Sequence, residues 1–135
     1  MNADMIRVGT DLIAIRRIEA AIARFGERFL DRYLQPEEYR GKKHASLAGY
    51  WAAKEAIAKA LGCGIGAELT FHDIRLHKAP GGAPSFVLSE RARQRFPLLD
   101  ASLSISHDGG FALAVVVLVL EVKEEKSEAD DPSGY

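Results

Sequence analysis

The chain has 135 residues, enough for one domain with a core of its own and short for two. With 47% hydrophobic and 27% charged residues it has the apolar content of a packed interior, which excludes wholesale disorder. A formal net charge of −1, from 18 Lys+Arg against 19 Asp+Glu, excludes a protein dedicated to coating nucleic acid. Residues 5–13 (MIRVGTDLI) are rich in β-formers that alternate loosely around Gly9, which predicts a strand ending near Asp11. From Ala14 to Leu34 apolar residues recur at helical spacing, and Gly26 divides that stretch into two helices. Pro36-Glu37-Glu38 opens a short helical turn. Residues 46–61 are alanine-rich and stop at Gly62 and Gly64, the pattern of a long central helix.

Residues 69–77 and 85–89 read as strands joined by the turn-forming cluster Ala79 to Pro84. Ser89 to Phe96 reads as a short helix that Pro97 stops, and residues 102–107 and 111–120 as a hairpin across Asp108-Gly109-Gly110. The connections between the last strands are too short for parallel crossovers. The expected class is therefore α+β, an antiparallel sheet packed with a long central helix and shorter helices. The longest apolar run, Phe111 to Leu120, has ten residues, whereas a membrane-spanning helix needs about 20, so the run predicts a buried strand and no membrane segment. The opening MNADMIRVG carries an acid at Asp4 and no long apolar stretch, unlike a secretory signal.

The charge is unevenly spread. Residues 121–135 hold six acids and two lysines, a net −4, which leaves +3 on residues 1–120. The expected organisation is a single domain over 1–122 and an acidic, disordered tail over 123–135. Cys63 is the only cysteine, so no internal disulfide can form and a reducing cytoplasm is the expected setting. Its place in LGCGIG suits a small apolar filler better than a nucleophile.

Candidate chemistry gathers at three places. On the central helix, with Leu47 as reference, residues 50, 51, 54, 58 and 61 form a core stripe that includes Lys54. Glu55 and Lys59 stand together on its flank, either as a helix-stabilising i, i+4 pair or as a metal-binding carboxylate beside a cation for a phosphate. The second place is Asp11, an acid at the end of a mostly apolar strand. It suits either a cap for the following helix or a second carboxylate. Two carboxylates completed by waters and phosphate oxygens suit Mg²⁺. The third place is Ser104-Ile105-Ser106-His107 before the Gly-Gly turn. His44, His72 and His77 show no zinc-ligand spacing, and no GxGxxG, Walker loop or GxSxG elbow is present.

Three segments together resemble the holo-acyl-carrier-protein synthase family of 4'-phosphopantetheinyl transferases. They are Gly9-Thr10-Asp11-Leu12 with Arg16-Arg17-Ile18, Trp51-Ala52-Ala53-Lys54-Glu55-Ala56 with Lys59-Ala60, and Ser104-Ile105-Ser106-His107. The middle segment is similar to the family's W/F-x-x-K-E-A-x-x-K-A signature, and the similarity runs over residues 5–120, including Gly82-Ala83-Pro84. The resemblance implies an enzyme that moves the 4'-phosphopantetheine arm of coenzyme A to a serine of apo acyl carrier protein, releasing adenosine 3',5'-bisphosphate. It implies Mg²⁺, with Mn²⁺ as a substitute, on Asp11 and Glu55. Lys59 would neutralise the diphosphate, and Lys42, Lys54, Pro84 and His107 would contact the coenzyme. The proton of the carrier serine would go to Glu55 or to a metal-held water.

The same resemblance implies a homotrimer with sites at its interfaces, and carrier docking by Arg17, Arg24 and Arg28 at i, i+7 and i+11, with a kink at Gly26 displacing Arg28. Other readings are the same chemistry on polyketide or peptide-synthetase carriers, and a non-catalytic carrier-binding module of the same fold. Two positions depart from the family pattern. Tyr50 stands where Arg is common, so one phosphate contact is either missing or supplied by Lys42, Lys43 or His44. Asp108 stands where Thr is usual; beside a diphosphate it would repel it by roughly 1–4 kcal/mol, unless it points into the turn or orients His107.

Overall fold

In the computed structural model, which describes residues 3–122, the first strand outruns its alternation pattern. β1 spans Ala3–Ala14 and passes directly into α1 (Ile15–Phe25). Asp11 thus lies inside a strand, and Ala14 precedes the helix without a side-chain cap, so Asp11 has no capping role. Gly26, at φ +62°, separates α1 from α2 (Glu27–Tyr33), as its position predicts. α3 (Pro36–Tyr39) opens on Pro36, with Gln35 and Glu38 capping each other. α4 (His44–Leu61) starts two residues ahead of the expected 46.

The expected strand over 69–77 is divided. Thr70 and Asp73 cap each other around a 3-10 turn at Phe71–Asp73, and β2 is confined to Ile74–Lys78. β3 (Pro84–Leu88), α5 (Glu90–Arg95, capped by Ser89), β4 (Leu98–Asp108) and β5 (Phe111–Val122) complete the described residues. The acidic segment expected to be a disordered tail lies outside them. No helix among them is long and apolar enough to cross a membrane.

The strands form two antiparallel sheets. One has the order β1-β5-β4, and the other is the β2-β3 hairpin. In the larger sheet Asp11 is opposite Ala114, which is opposite Ile105 on the far strand. Its inner face carries Ile13, Leu103, Ala112, Ala114, Val116 and Leu118 against α4. Helix α4 is buried over most of its circumference rather than along a single stripe. The sheet covers one side, and α1 and the aromatic group Phe29, Tyr33, Trp51 and Phe71 cover others, with ring centroids 4.9–6.0 Å apart. An all-round apolar helix is what a central element requires.

Two glycines set how closely helix and sheet meet. A Cβ on Gly49 would lie 2.7 Å from Ile105 Cγ2, so the N-terminal half of α4 rests on β4. A Cβ on Gly9 would collide with the Ala56 carbonyl oxygen and lie 3.0 Å from Ala60 Cβ, so the C-terminal half rests on β1. The helix therefore crosses the sheet diagonally. Asp11, two residues beyond Gly9 on the same face of the strand, faces the turns that carry Glu55 and Lys59. Gly9→Ala is expected to destabilise the fold by about 1–3 kcal/mol, the usual range for overpacking a site that cannot yield. Denaturant unfolding measures this, and a loss under about 0.5 kcal/mol would mean that strand and helix separate easily.

Candidate functional site

Asp11 and Lys59, 48 residues apart in sequence, meet directly. Lys59 Nζ donates to Asp11 Oδ1 at 2.9 Å and to the Thr10 carbonyl at 3.1 Å. The Asp11 side chain is 16% exposed and that of Lys59 is 55% exposed, so the pair lies at the protein surface. Glu55 is half-buried beside them. Burial raises its pKa from the ordinary carboxylate value, the negative charge of Asp11 raises it further, and Lys59 works against both. Lys59 turns to Asp11 across the helix–strand contact, so its ion pair is tertiary rather than the i, i+4 pair that spacing alone also allows.

Two carboxylates close enough to raise the proton affinity of one are a place where a cation is favoured. Among the described residues no cluster of three or more His, Cys, Asp or Glu side chains is placed to hold a metal ion. Mg²⁺ takes one or two carboxylates and leaves its other positions to water and phosphate oxygens.

A second cleft opens near the start of α4. Gly41, Lys42, Lys43 and Ser46 form one side, His77, Lys78 and Pro84 another, and Ile105 and His107 the third, with Tyr50 between them. Five basic side chains border one concavity of about 390 Å³, an arrangement suited to a polyanionic ligand. The strand register places Ile105 two strands from Asp11, about 10 Å across the sheet.

The cleft contains Lys42, Pro84 and His107, three of the residues expected to contact the coenzyme. Lys54 requires a correction. Its side chain is fully buried, and its ammonium donates to the Tyr33 carbonyl at 2.7 Å, the Phe71 carbonyl at 3.1 Å and the Glu38 carboxylate at 3.0 Å. Burial lowers its pKa to about 8 against the opposing pull of Glu38. With its donors spent inside the protein, Lys54 does not reach a ligand.

The two departures also find their places. Lys42 Nζ sits 5.9 Å from the centre of the Tyr50 ring, so an aromatic face supports a cation where Arg is common in the resembling pattern. Lys42 and Lys43 border the cleft, whereas His44 turns to Glu19 of α1 at 3.3 Å. Ile105 and His107 face the cleft, so strand alternation turns Asp108 to the opposite side, away from a ligand held there. Arg17, Arg24 and Arg28 are exposed, but the break at Gly26 puts Arg28 on α2, where it borders a surface hollow with Phe25, Phe29 and Arg32.

His77 and Lys78 were missed in the sequence. The available signal was their position at a strand end, immediately before the turn that contains Gly82 and Pro84. Glu38 belongs by its spacing to a helical turn, and its capping partner Gln35, three residues earlier, gives no sign that it is buried against Lys54.

Residues 7–116 match the family model described as the 4'-phosphopantetheinyl transferase superfamily. The holo-[acyl-carrier-protein] synthase of Sulfurovum sp. is 57% identical over 117 residues, which covers 86% of this chain and 98% of the relative. That of Wolinella succinogenes is 56% identical over 112 residues, 82% of this chain and 95% of the relative. The crystal structure of Helicobacter pylori holo-[acyl-carrier-protein] synthase in complex with coenzyme A superimposes with a TM-score of 0.79 at 47% identity, covering 82% of this chain and 98% of that one. The Neisseria meningitidis holo-[acyl-carrier-protein] synthase gives a TM-score of 0.74 at 35% identity.

Lys59→Gln is expected to tighten Mn²⁺ binding to the ligand-free protein about three- to tenfold, since the ammonium that occupies Asp11 is removed. Electron paramagnetic resonance titration measures this. Unchanged or weaker binding would show that Lys59 does not compete for that carboxylate.

Proposed function

The chain belongs to the 4'-phosphopantetheinyl transferase superfamily, and from that membership we infer a holo-acyl-carrier-protein synthase whose working parts are the Asp11–Glu55–Lys59 group and the basic cleft beside it. The enzyme transfers 4'-phosphopantetheine from coenzyme A to a serine of apo acyl carrier protein. The observation that carries the site assignment is the meeting of Lys59 with Asp11 at 2.9 Å next to Glu55, which joins two distant sequence motifs in one anion-handling group.

The coenzyme's nucleotide phosphates lie in the cleft among Lys42, Lys43, His77, Lys78 and His107, and Pro84 shapes its rim. The diphosphate extends toward Asp11 and Glu55, which would hold Mg²⁺, or Mn²⁺ in its place. The metal would supply charge neutralisation there. Lys59 adds a second positive charge there once it leaves Asp11. The serine oxygen of the carrier forms a bond to the phosphorus that bears the pantetheine arm, and the bond from that phosphorus to the bridging oxygen breaks. Adenosine 3',5'-bisphosphate departs with the electron pair. The hydroxyl proton goes to Glu55 or to a water that the metal would hold. Phosphoryl transfer of this kind depends on positioning and electrostatics rather than on a covalent protein nucleophile.

The carrier docks on the arginines of the first helix, Arg17 and Arg24, with Arg28 reaching it from α2. Self-association is supported by the outer face of the three-stranded sheet. Val8 pairs with Val117 and Leu12 with Leu113 there, and Ile6, Val8 and Leu12 are 60–69% exposed. An apolar face of this extent is a common mark of an interface. The assembly is a homotrimer with each site at a subunit boundary.

Incubation with apo carrier protein, coenzyme A and Mg²⁺ tests the reading by intact mass: the carrier gains one phosphopantetheine, and no gain on any carrier rejects it. Glu55→Gln is expected to lower the rate about 100-fold or more, a barrier rise of about 2.7 kcal/mol, with the fold retained. Full activity in that variant would remove Glu55 from the site. Arg17→Glu is expected to raise the carrier KM about tenfold and leave the coenzyme KM unchanged; equal effects on both would reject docking there. Sedimentation equilibrium of the purified chain reads the assembly directly, and a monomer at micromolar concentration would reject the trimer.

A further inference from the structure

The transfer chemistry leaves one charged group unused, the ion pair of Lys54 and Glu38, whose side chains are 0% and 1% exposed. Its bonding is complete. Glu38 Oε1 accepts from the Gln35 amide at 2.6 Å, and Oε2 accepts from the Leu76 amide at 2.9 Å. Lys54 binds the Tyr33 and Phe71 carbonyls as well as Glu38. Among the described residues no buried side-chain nitrogen or oxygen lacks a partner. An apolar pair of similar volume would avoid the cost of desolvating two charges. What it would not do is fix four backbone groups, at the end of α2, the start of α3, the 3-10 turn and β2, at defined distances from α4.

Those segments lead into the cleft. Leu76, whose amide Glu38 holds, lines it, and the next two residues are His77 and Lys78. Lys42 follows Glu38 by four residues and borders the opposite side. Both basic walls therefore start from backbone that the pair anchors. Glu55, the next residue to Lys54, points about 100° away around the helix toward β1, so the carboxylate group is held independently through Gly9. We propose that Lys54 and Glu38 are positioning residues for the coenzyme: they hold the β2 wall and the 39–43 segment at the separation from α4 that the nucleotide phosphates require, without touching the ligand. The inference rests on the assignment of this cleft to coenzyme A.

The test compares two ligands. In the double variant Glu38→Gln/Lys54→Met, which removes both buried charges, calorimetry is expected to show adenosine 3',5'-bisphosphate bound at least about tenfold more weakly. Mn²⁺ affinity, read without nucleotide, is expected to stay within about twofold. In turnover the coenzyme KM rises and kcat is held. A folded double variant that binds the bisphosphate as the parent does would overturn the proposal, as would an equal loss of Mn²⁺ affinity. Should the variant not fold, amide exchange in the unaltered protein decides. The Leu76 amide is expected to exchange more slowly when the bisphosphate is bound, and an unchanged rate would overturn the role. If the parent chain itself does not bind the bisphosphate, the cleft assignment fails and takes this inference with it.

Discussion

The structure depends on how closely one strand lies against one helix. At Gly9 the backbone of β1 sits on Ala56 and Ala60 of α4 with no room for a Cβ, so the two elements have a single possible spacing. Small residues on both sides make that contact possible, and close-packed interiors do not yield to small displacements. Everything chemical follows from it. Asp11 is aimed from the strand at the two helical turns that carry Glu55 and Lys59, and the other end of the helix is free to reach across the sheet to β4. A diagonal helix over three strands thereby sets a carboxylate end of the protein apart from a basic end.

The two lysines of the central helix show how one motif serves two purposes. They are five residues apart, about 140° around the helix, and so face different surroundings. Lys54 faces inward, where its charge is matched by Glu38 and backbone carbonyls. Lys59 faces the cleft edge, where its partner is a carboxylate that a metal ion would also seek. An ion pair as exposed as Lys59–Asp11 contributes little to stability, so it is available for exchange. The buried pair is not. Rigidity and chemistry thus occupy neighbouring turns of the same helix without sharing a side chain.

Much of this was legible in the sequence, and the parts that were not have physical causes. The helix break at Gly26, the long helix ending before Gly62 and the final hairpin across Gly109-Gly110 are local decisions, made by residues whose backbone preferences are strong. Asp11, Glu55 and Lys59 could be singled out as residue types, but their meeting depends on the Gly9 contact, which no local pattern reveals. The strand expected from residue 69 was displaced because Thr70 and Asp73 satisfy each other's backbone first. Lys54 was misassigned for a general reason. A lysine in an apolar stripe signals that its charge has a partner, and no local pattern tells a ligand phosphate from a glutamate 16 residues earlier.

The pairing of the sheet has a further consequence, for the order in which the protein comes into being. β1 precedes the other described strands, yet among the described residues it pairs only with β5, so Asp4 waits for Glu121 and Asp11 for Ala114. Contacts between such distant parts of a chain close late, after the entropy of the intervening loop has been overcome. On the ribosome the nascent chain thus carries its acid, its helix and its basic segments without a formed site until the last strand emerges. The carboxylate end of the site thus forms as a unit when β1 and β5 pair, rather than by degrees.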